Sequence, residues 1–189
     1  MSTRPTRRVV LLRGINTGRG GRIAMADLRA VTERAGCADV ATVLATGNVV
    51  LTDPRPAQTL RSALEQAYSE AFDYSAIVQV LDMAAVAEAA RDQPFAPLEG
   101  HHHQIVFVDD PELVAPLATA MGEALDTARA GGTASDTELL VPGPNCVHWR
   151  VPQGSTTSSA AGRVLTRAAF RDHVTTRNLR TVRSIAELG

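Results

Sequence analysis

The chain has 189 residues, 44% of them apolar, and a formal net charge of −1, enough to build one good core or two small ones. No apolar stretch approaches the roughly 18 to 20 residues a membrane helix needs, and residues 1–8 lead straight into an apolar strand rather than a signal-peptide core, which predicts a cytoplasmic protein. The two cysteines, Cys37 and Cys146, lie far apart without ligand spacing, which argues against a disulfide framework and a structural zinc site.

Residues 8–13, Arg-Val-Val-Leu-Leu-Arg, form a short apolar run ended by Gly14 and read as a buried strand. Met25, Leu28, Val31 and Ala35 then recur at helical spacing before Gly36. Two β-branched runs, 40–45 and 49–52, flank Thr46-Gly47-Asn48, a tight hairpin signal. Residues 56–72 give a second amphipathic helix with Leu60, Ala63, Leu64, Ala67 and Ala71 on one face. Alternation returns over 75–81, and Asp82 is placed to cap a further helix ending near Arg91. The order is β-α-β-β-α-β with a trailing helix, the ferredoxin-like arrangement.

The Pro-rich segment 93–100 marks a boundary, giving one unit over 1–95 and a second over 96–189. The same order then begins again. Residues 104–108 read as a strand, and Asp110-Pro111-Glu112 combines a cap, a first-turn proline and a first-turn acid. Residues 138–141 and 146–151 form a strand pair, 158–170 a helix, 173–177 a strand, and Asn178 caps a last helix. An offset of 96 carries Arg8 onto Gln104 and Asp82 onto Asn178, so the expected fold is α+β with two ferredoxin-like repeats made by internal duplication. Val10, Leu12, Val43, Val50, Ile77, Val106 and Val147 are the expected core positions of the strands.

Charge is unevenly placed. All 19 basic residues are arginines: eight against two acids in residues 1–34, four against sixteen in 35–149, and seven against two in 150–189. Two basic ends on one face would suit phosphates or other acidic partners, whereas pairing with the acidic middle would cancel them. Residues 13–22, Arg-Gly-Ile-Asn-Thr-Gly-Arg-Gly-Gly-Arg, link the first strand to the first helix. Glycine-rich strand-to-helix links cradle anions with backbone N–H groups, and Arg13, Asn16, Arg19 and Arg22 add side-chain donors. The pattern completes neither a phosphate-binding Lys-Ser/Thr loop nor a dinucleotide fingerprint, so a solvated loop stands as the competing reading. Antiparallel topology places Arg13 and Asn16 beside the Gly47-Asn48 turn, although Asn48 also suits the turn itself. Arg177 is the one member of Thr175-Thr-Arg-Asn178 without an obvious local use. Of His101, His102 and His103, only the first and third share a strand face, and a third ligand would have to come from elsewhere, so no metal or cofactor is assigned. No catalytic constellation is recognisable from spacing.

Leu11-Leu-Arg-Gly-Ile-Asn16, Thr46-Gly-Asn-Val-Val50 and Thr175-Thr-Arg-Asn178, in this order, resemble the signature of the bacterial family catalogued as domain of unknown function 1697. The resemblance implies the duplicated α+β fold and carries no reaction with it. An apolar residue usually follows the first motif of that family and an aromatic one the last; here they are Thr17 and Leu179, which weakens any expectation of aromatic stacking at the third motif. The leading functional expectation is a module that binds an anionic ligand, either nucleic acid or a phosphorylated small molecule, through Arg13, Asn16, Arg19 and Arg22 with Asn48 and Arg177. The alternative is a small enzyme with a pocket between the repeats, Arg13 and Arg177 orienting an acidic substrate. With seven aromatic residues in the chain and none in residues 13–22, any nucleic-acid binding is expected to be weak and sequence-tolerant.

Overall fold

The computed structural model describes residues 5–15, 23–72 and 75–189. The chain divides into two compact units, residues 1–88 with 183–189 and residues 89–182. In the first, β1 (Thr6–Leu12), α1 (Met25–Arg34), β2 (Ala38–Val43), β3 (Asn48–Asp53), α2 (Ala57–Phe72) and β4 (Val78–Asp82) follow in order, and α3 (Met83–Arg91) begins directly afterwards. The sheet order is β2-β3-β1-β4. Strand β1 lies antiparallel to both β3 and β4, so each helix crosses over one intervening strand. Val10, Leu12, Val49, Leu51 and Val78 meet Leu28 and Val31 of α1 and Leu60, Leu64 and Tyr68 of α2 in one core. Val9 and Leu11 are fully buried as well, which is why the run shows no polar alternation.

The second unit repeats this with β5 (His101–Val108), α4 (Val114–Ala130), β6 (Leu139–Pro142), β7 (Cys146–Pro152), α5 (Ala160–Val164) and β8 (Val174–Asn178), followed by α6 (Leu179–Ala186). Its sheet order, β6-β7-β5-β8, matches the first. The helix start expected at residues 110–112 is present as a 3-10 turn, Pro111–Leu113, with the Asp110 carboxylate accepting the Glu112 N–H at 3.0 Å. The offset of 96 holds at the level of register: Arg8 pairs with Asp82 and Gln104 with Asn178. The fold is therefore α+β, with two units of like topology.

Three local expectations are corrected. Strand β4 begins at Val78 rather than residue 75, so Ile77 precedes it and is only partly buried while Ala76 and Val78 enter the core. The carbonyl of Ile77 is instead taken by the Arg13 N–H at 3.0 Å. Helix α5 stops at Val164, since the N–H groups of Leu165, Thr166 and Arg167 bond carbonyls three residues back and tighten the chain into turns. The buried stripe of α2 runs through Leu60, Leu64 and Tyr68, leaving Ala71 exposed, because the Tyr68 hydroxyl reaches Thr32 Oγ1 at 2.7 Å inside the core.

Candidate functional site

The site expected from residues 13–22 leaves the end of β1, and the structure fixes that end from two sides. The Leu12 N–H donates to the Gly47 carbonyl at 2.8 Å, and the Arg13 N–H to Ile77. Gly47 has φ +72°, and a Cβ there would lie 2.8 Å from Ile15 Cδ1 and 2.9 Å from Leu12 Cβ. Only glycine combines that backbone angle with so close an approach. Arg13 to Ile15 and the 44–48 turn therefore share one edge, as the antiparallel topology requires. Asn48 is fully buried, and its amide donates to the Val43 carbonyl at 2.8 Å and to Thr46 Oγ1 at 2.9 Å, so it closes the turn rather than presenting a donor outward. Arg13 is half-buried. Leu44, in the same turn, has φ +56° and is 58% exposed. At the far end of the connection α1 starts at Met25, with Ala24 at the cap position supplying no side-chain acceptor or donor. Asn16, Arg19 and Arg22 lie outside the described residues.

Arg177 belongs to the second unit, opposite Ile105 on β8. Its guanidinium donates to Thr175 Oγ1 at 2.8 Å and to the Thr176 carbonyl at 2.9 Å, and burial pulls its pKa down to about 10. The neighbouring Asn178 caps α6, its Oδ1 accepting the Arg180 N–H at 2.9 Å. Within Thr175-Thr-Arg-Asn178, then, the first and last residues have local roles, and Arg177 is held along the sheet by the first. At the register position equivalent to Arg177 the first unit has Leu81, opposite Val9.

A second polar group was not apparent from spacing. Along β7, Val147, Trp149 and Val151 enter the core with the helices, and alternation sends Cys146, His148 and Arg150 to the opposite face. His148 is fully buried; its Nδ1 lies 3.0 Å from Nε2 of His103 on β5, and its Nε2 lies 3.6 Å from Cys146 Sγ and 3.4 Å from Asp92 Oδ2. Burial holds His148 below the ordinary imidazole range, with Asp92 acting the other way. Gly143 covers the pair closely, since a Cβ on it would lie 3.2 Å from Cys146 Sγ and 3.4 Å from His148 Nε2. These groups are strung along the two nitrogens of His148 instead of converging on one point, and among the described residues no three His, Cys, Asp or Glu side chains form a metal-holding group. His101 and His103 do share a face, but His101 Nε2 lies 2.8 Å from Thr137 Oγ1 while His103 turns to His148. The signal that could have revealed the cluster is the alternation of Cys146, His148 and Arg150 with three apolar residues, read together with the pairing of β7 and β5.

The sequence profile of the family described as protein of unknown function DUF1697 matches residues 6–134. The chain belongs to this family. Two of the motifs that carry the DUF1697 resemblance meet in space at Ile15 and Gly47, which gives their joint occurrence a packing reason. Among solved structures, the conserved bacterial protein SP0830 from Streptococcus pneumoniae is similar, with 22% identity and a TM-score of 0.73 over 98% of this chain and 99% of that one. That likeness carries the fold. No curated protein matches the chain. Among the described residues no helix is long and apolar enough to cross a membrane.

Proposed function

We propose that this DUF1697 chain is a binding module for an anionic ligand, a nucleic acid or a phosphorylated small molecule, held by residues 13–22. The observation that supports it is the fixed exit of β1, where Arg13 leaves the sheet between the Ile77 carbonyl and the Ile15–Gly47 contact. A connection anchored in this way starts from a constant position and ends at α1, whose cap residue Ala24 leaves the first-turn N–H groups without a side-chain acceptor of its own. Between these points the sequence supplies Asn16, Arg19 and Arg22. Asn48 supports the rim from within the turn.

Duplication of one ancestral unit is part of the same reading, supported by the shared offset of 96 in the β1–β4 and β5–β8 pairs. A cytoplasmic location fits Cys37 and Cys146, which are buried and form no disulfide.

Filter binding of mixed single- and double-stranded oligonucleotides and of labelled nucleotides, at low salt, tests the reading. Retention is expected at tens of micromolar protein, roughly the non-specific range, and should weaken steeply with salt as counterions are released. The double variant Arg19→Ala/Arg22→Ala should flatten the salt slope by roughly two units for nucleic acid. No retention of either ligand class, or retention that the double variant leaves unchanged, would overturn it.

A further inference from the structure

Residues 92–96, between α3 and β5, run into the Pro-rich segment 93–100 that marks a boundary in the sequence, yet they are fastened to the second sheet. Asp92 Oδ2 lies 3.4 Å from His148 Nε2. The Phe95 ring is buried and meets His103 edge-on at 5.2 Å, and Arg150 lies over the ring with Cζ 5.7 Å from its centroid. Arg150 also donates to the Ala96 carbonyl at 3.3 Å. Each fastening thus runs through His148, His103 or Arg150, and the two histidines are themselves joined at 3.0 Å. We propose that residues 92–96 form a strap over the second sheet, and that the His103–His148 pair releases it on acidification.

The chemistry follows from what a histidine pair can hold. A contact between Nδ1 of one ring and Nε2 of the other needs one donor and one acceptor, so at least one of the two nitrogens must be unprotonated. One added proton is accommodated: His148 then donates Nδ1–H to His103 and directs Nε2–H to Asp92. A second proton places two N–H groups and two like charges against each other, and the rings must part. Because His103 carries Phe95 and His148 carries Asp92, parting the rings loosens the strap. Release therefore follows the second proton taken up by the pair.

The groups that share this environment bias the event in known directions. From the strap comes Asp92, which favours the first proton. On the same face, β5 supplies His101 and His103, β7 supplies Cys146, His148 and Arg150, and β8 supplies Arg177, while the facing residues of β6, Leu139 and Val141, carry no charge. Burial disfavours a charge on His148, which delays release until the medium is acidic. Arg150 has its own anchor, donating Nε–H to the Thr137 carbonyl at 2.9 Å, so it keeps its place when the histidines separate.

Hydrogen exchange of the full chain between about pH 8 and about pH 5, corrected for intrinsic rates, tests the strap. The expected result is a loss of protection in residues 92–98 that exceeds any loss in the buried residues of α4, Leu117 to Leu125, by about tenfold or more. His103→Phe keeps a ring against Phe95 but removes the second titrating nitrogen, and its strap should stay protected at the acidic end. Asp92→Asn withdraws the counter-charge of the first proton, so release should shift to lower pH. Strap and α4 losing protection together would mean plain acid unfolding and would overturn the proposal. So would the same acid loosening in His103→Phe as in the wild type or, should that variant not fold, an unmoved midpoint in Asp92→Asn.

Discussion

Strands β4 and β8 hold the same place in two sheets of the same order, yet one carries Leu81 where the other carries Arg177. On the helix-facing side the two units agree: Val10, Leu12 and Val78 in the first correspond to Val106, Val108 and Val174 in the second, and all six are buried. On the opposite side they part, with Gln79 and Leu81 against Thr175 and Arg177, and with the Cys146, His148 and Arg150 series confined to the second unit. Packing against two helices fixes the apolar face, because a wrong residue there costs a cavity or a buried polar group. The other face is under a different constraint, and it is where the units have acquired different chemistry.

The largest expected effect tests whether the two cores are equally dependent on their central residues. Leu51 and Trp149 hold equivalent positions, opposite Arg8 and Gln104, and both are fully buried. Trp149 also donates Nε1–H to Glu138 Oε1 at 3.0 Å, and Glu138 is itself buried. Leu51→Ala should cost about 3 kcal/mol and Trp149→Ala about 5 kcal/mol, the second including the penalty of an unmatched Glu138. Urea unfolding measures both, and equal losses would show that the Glu138 bond adds nothing beyond volume.

The next effect sharpens the comparison through pH. Asp53 at the end of β3 is almost fully buried and is gripped by Arg55, with Nη2 at 2.6 Å and both Nε and the backbone N–H at 2.8 Å. Burial acts to raise the Asp53 pKa, but the hydrogen bonds and charge of Arg55 outweigh it, and the carboxyl is held below its ordinary value. Arg55 further donates to the Ala35 carbonyl at the end of α1 and to Cys37 Sγ, whose thiol burial and Asp53 push up to about 11. Asp53→Asn should cost about 2 kcal/mol, discounted for the partial exposure of Arg55. A lowered folded pKa means that the unfolded state binds the proton first. The stabilisation is therefore present above the ordinary carboxyl value of 3.8 and is lost as pH falls through the folded value. Urea midpoints taken downward from about pH 6 should converge for wild type and variant, and a constant gap would remove Asp53 as the source.

These residues also show how far the sequence could be read. Strands β1 and β5 were legible because their apolar runs exceed anything a surface segment carries, and the Asp110 and Asn178 caps because capping is local chemistry. Helix α5 was overextended because 160–170 contains Ala, Leu and Arg, which favour helix locally, while the chain there turns on bonds to residues three back. Asn48 could not be separated into turn and ligand roles by spacing, since its burial depends on the pairing of β1 with β3. The His148 cluster needed the pairing of His148 with Ile105, and thus a contact 43 residues apart along the chain.

A smaller effect comes from exchanging the residue that most separates the two units. Arg177→Leu installs in β8 the side chain that β4 already has at Leu81. The Arg177 charge is held at a cost wherever it is protonated in both states, that is below about pH 10, so its removal should raise stability by about 1 kcal/mol at neutral pH. Thr175 Oγ1 loses its donor in the exchange and limits the gain. Stability that falls instead would identify Arg177 as a structural tie of the second sheet, and ligand binding measured on the same variant reports its part in the proposed function.

The smallest effect concerns the hairpins. The β2–β3 turn contains Leu44 at φ +56°, while in the β6–β7 turn, residues 143–145, no residue has positive φ. An L-residue held in the left-handed region costs about 1 to 2 kcal/mol, and glycine there costs only its extra unfolded-state entropy, about 0.5 to 1 kcal/mol. Leu44 is largely exposed, so it recovers little of this by burial. Leu44→Gly should accordingly stabilise the first unit by about 0.5 kcal/mol, read as a small rise in urea midpoint at unchanged slope. The turn stands beside Arg13 and the start of residues 14–22, where a strained, exposed apolar residue has no packing reason to persist. If the variant is more stable and still binds anions as the wild type does, the strain is incidental to the rim. A variant that gains stability and loses binding places Leu44 at the ligand, making the first hairpin part of the binding edge while the second remains a plain connection.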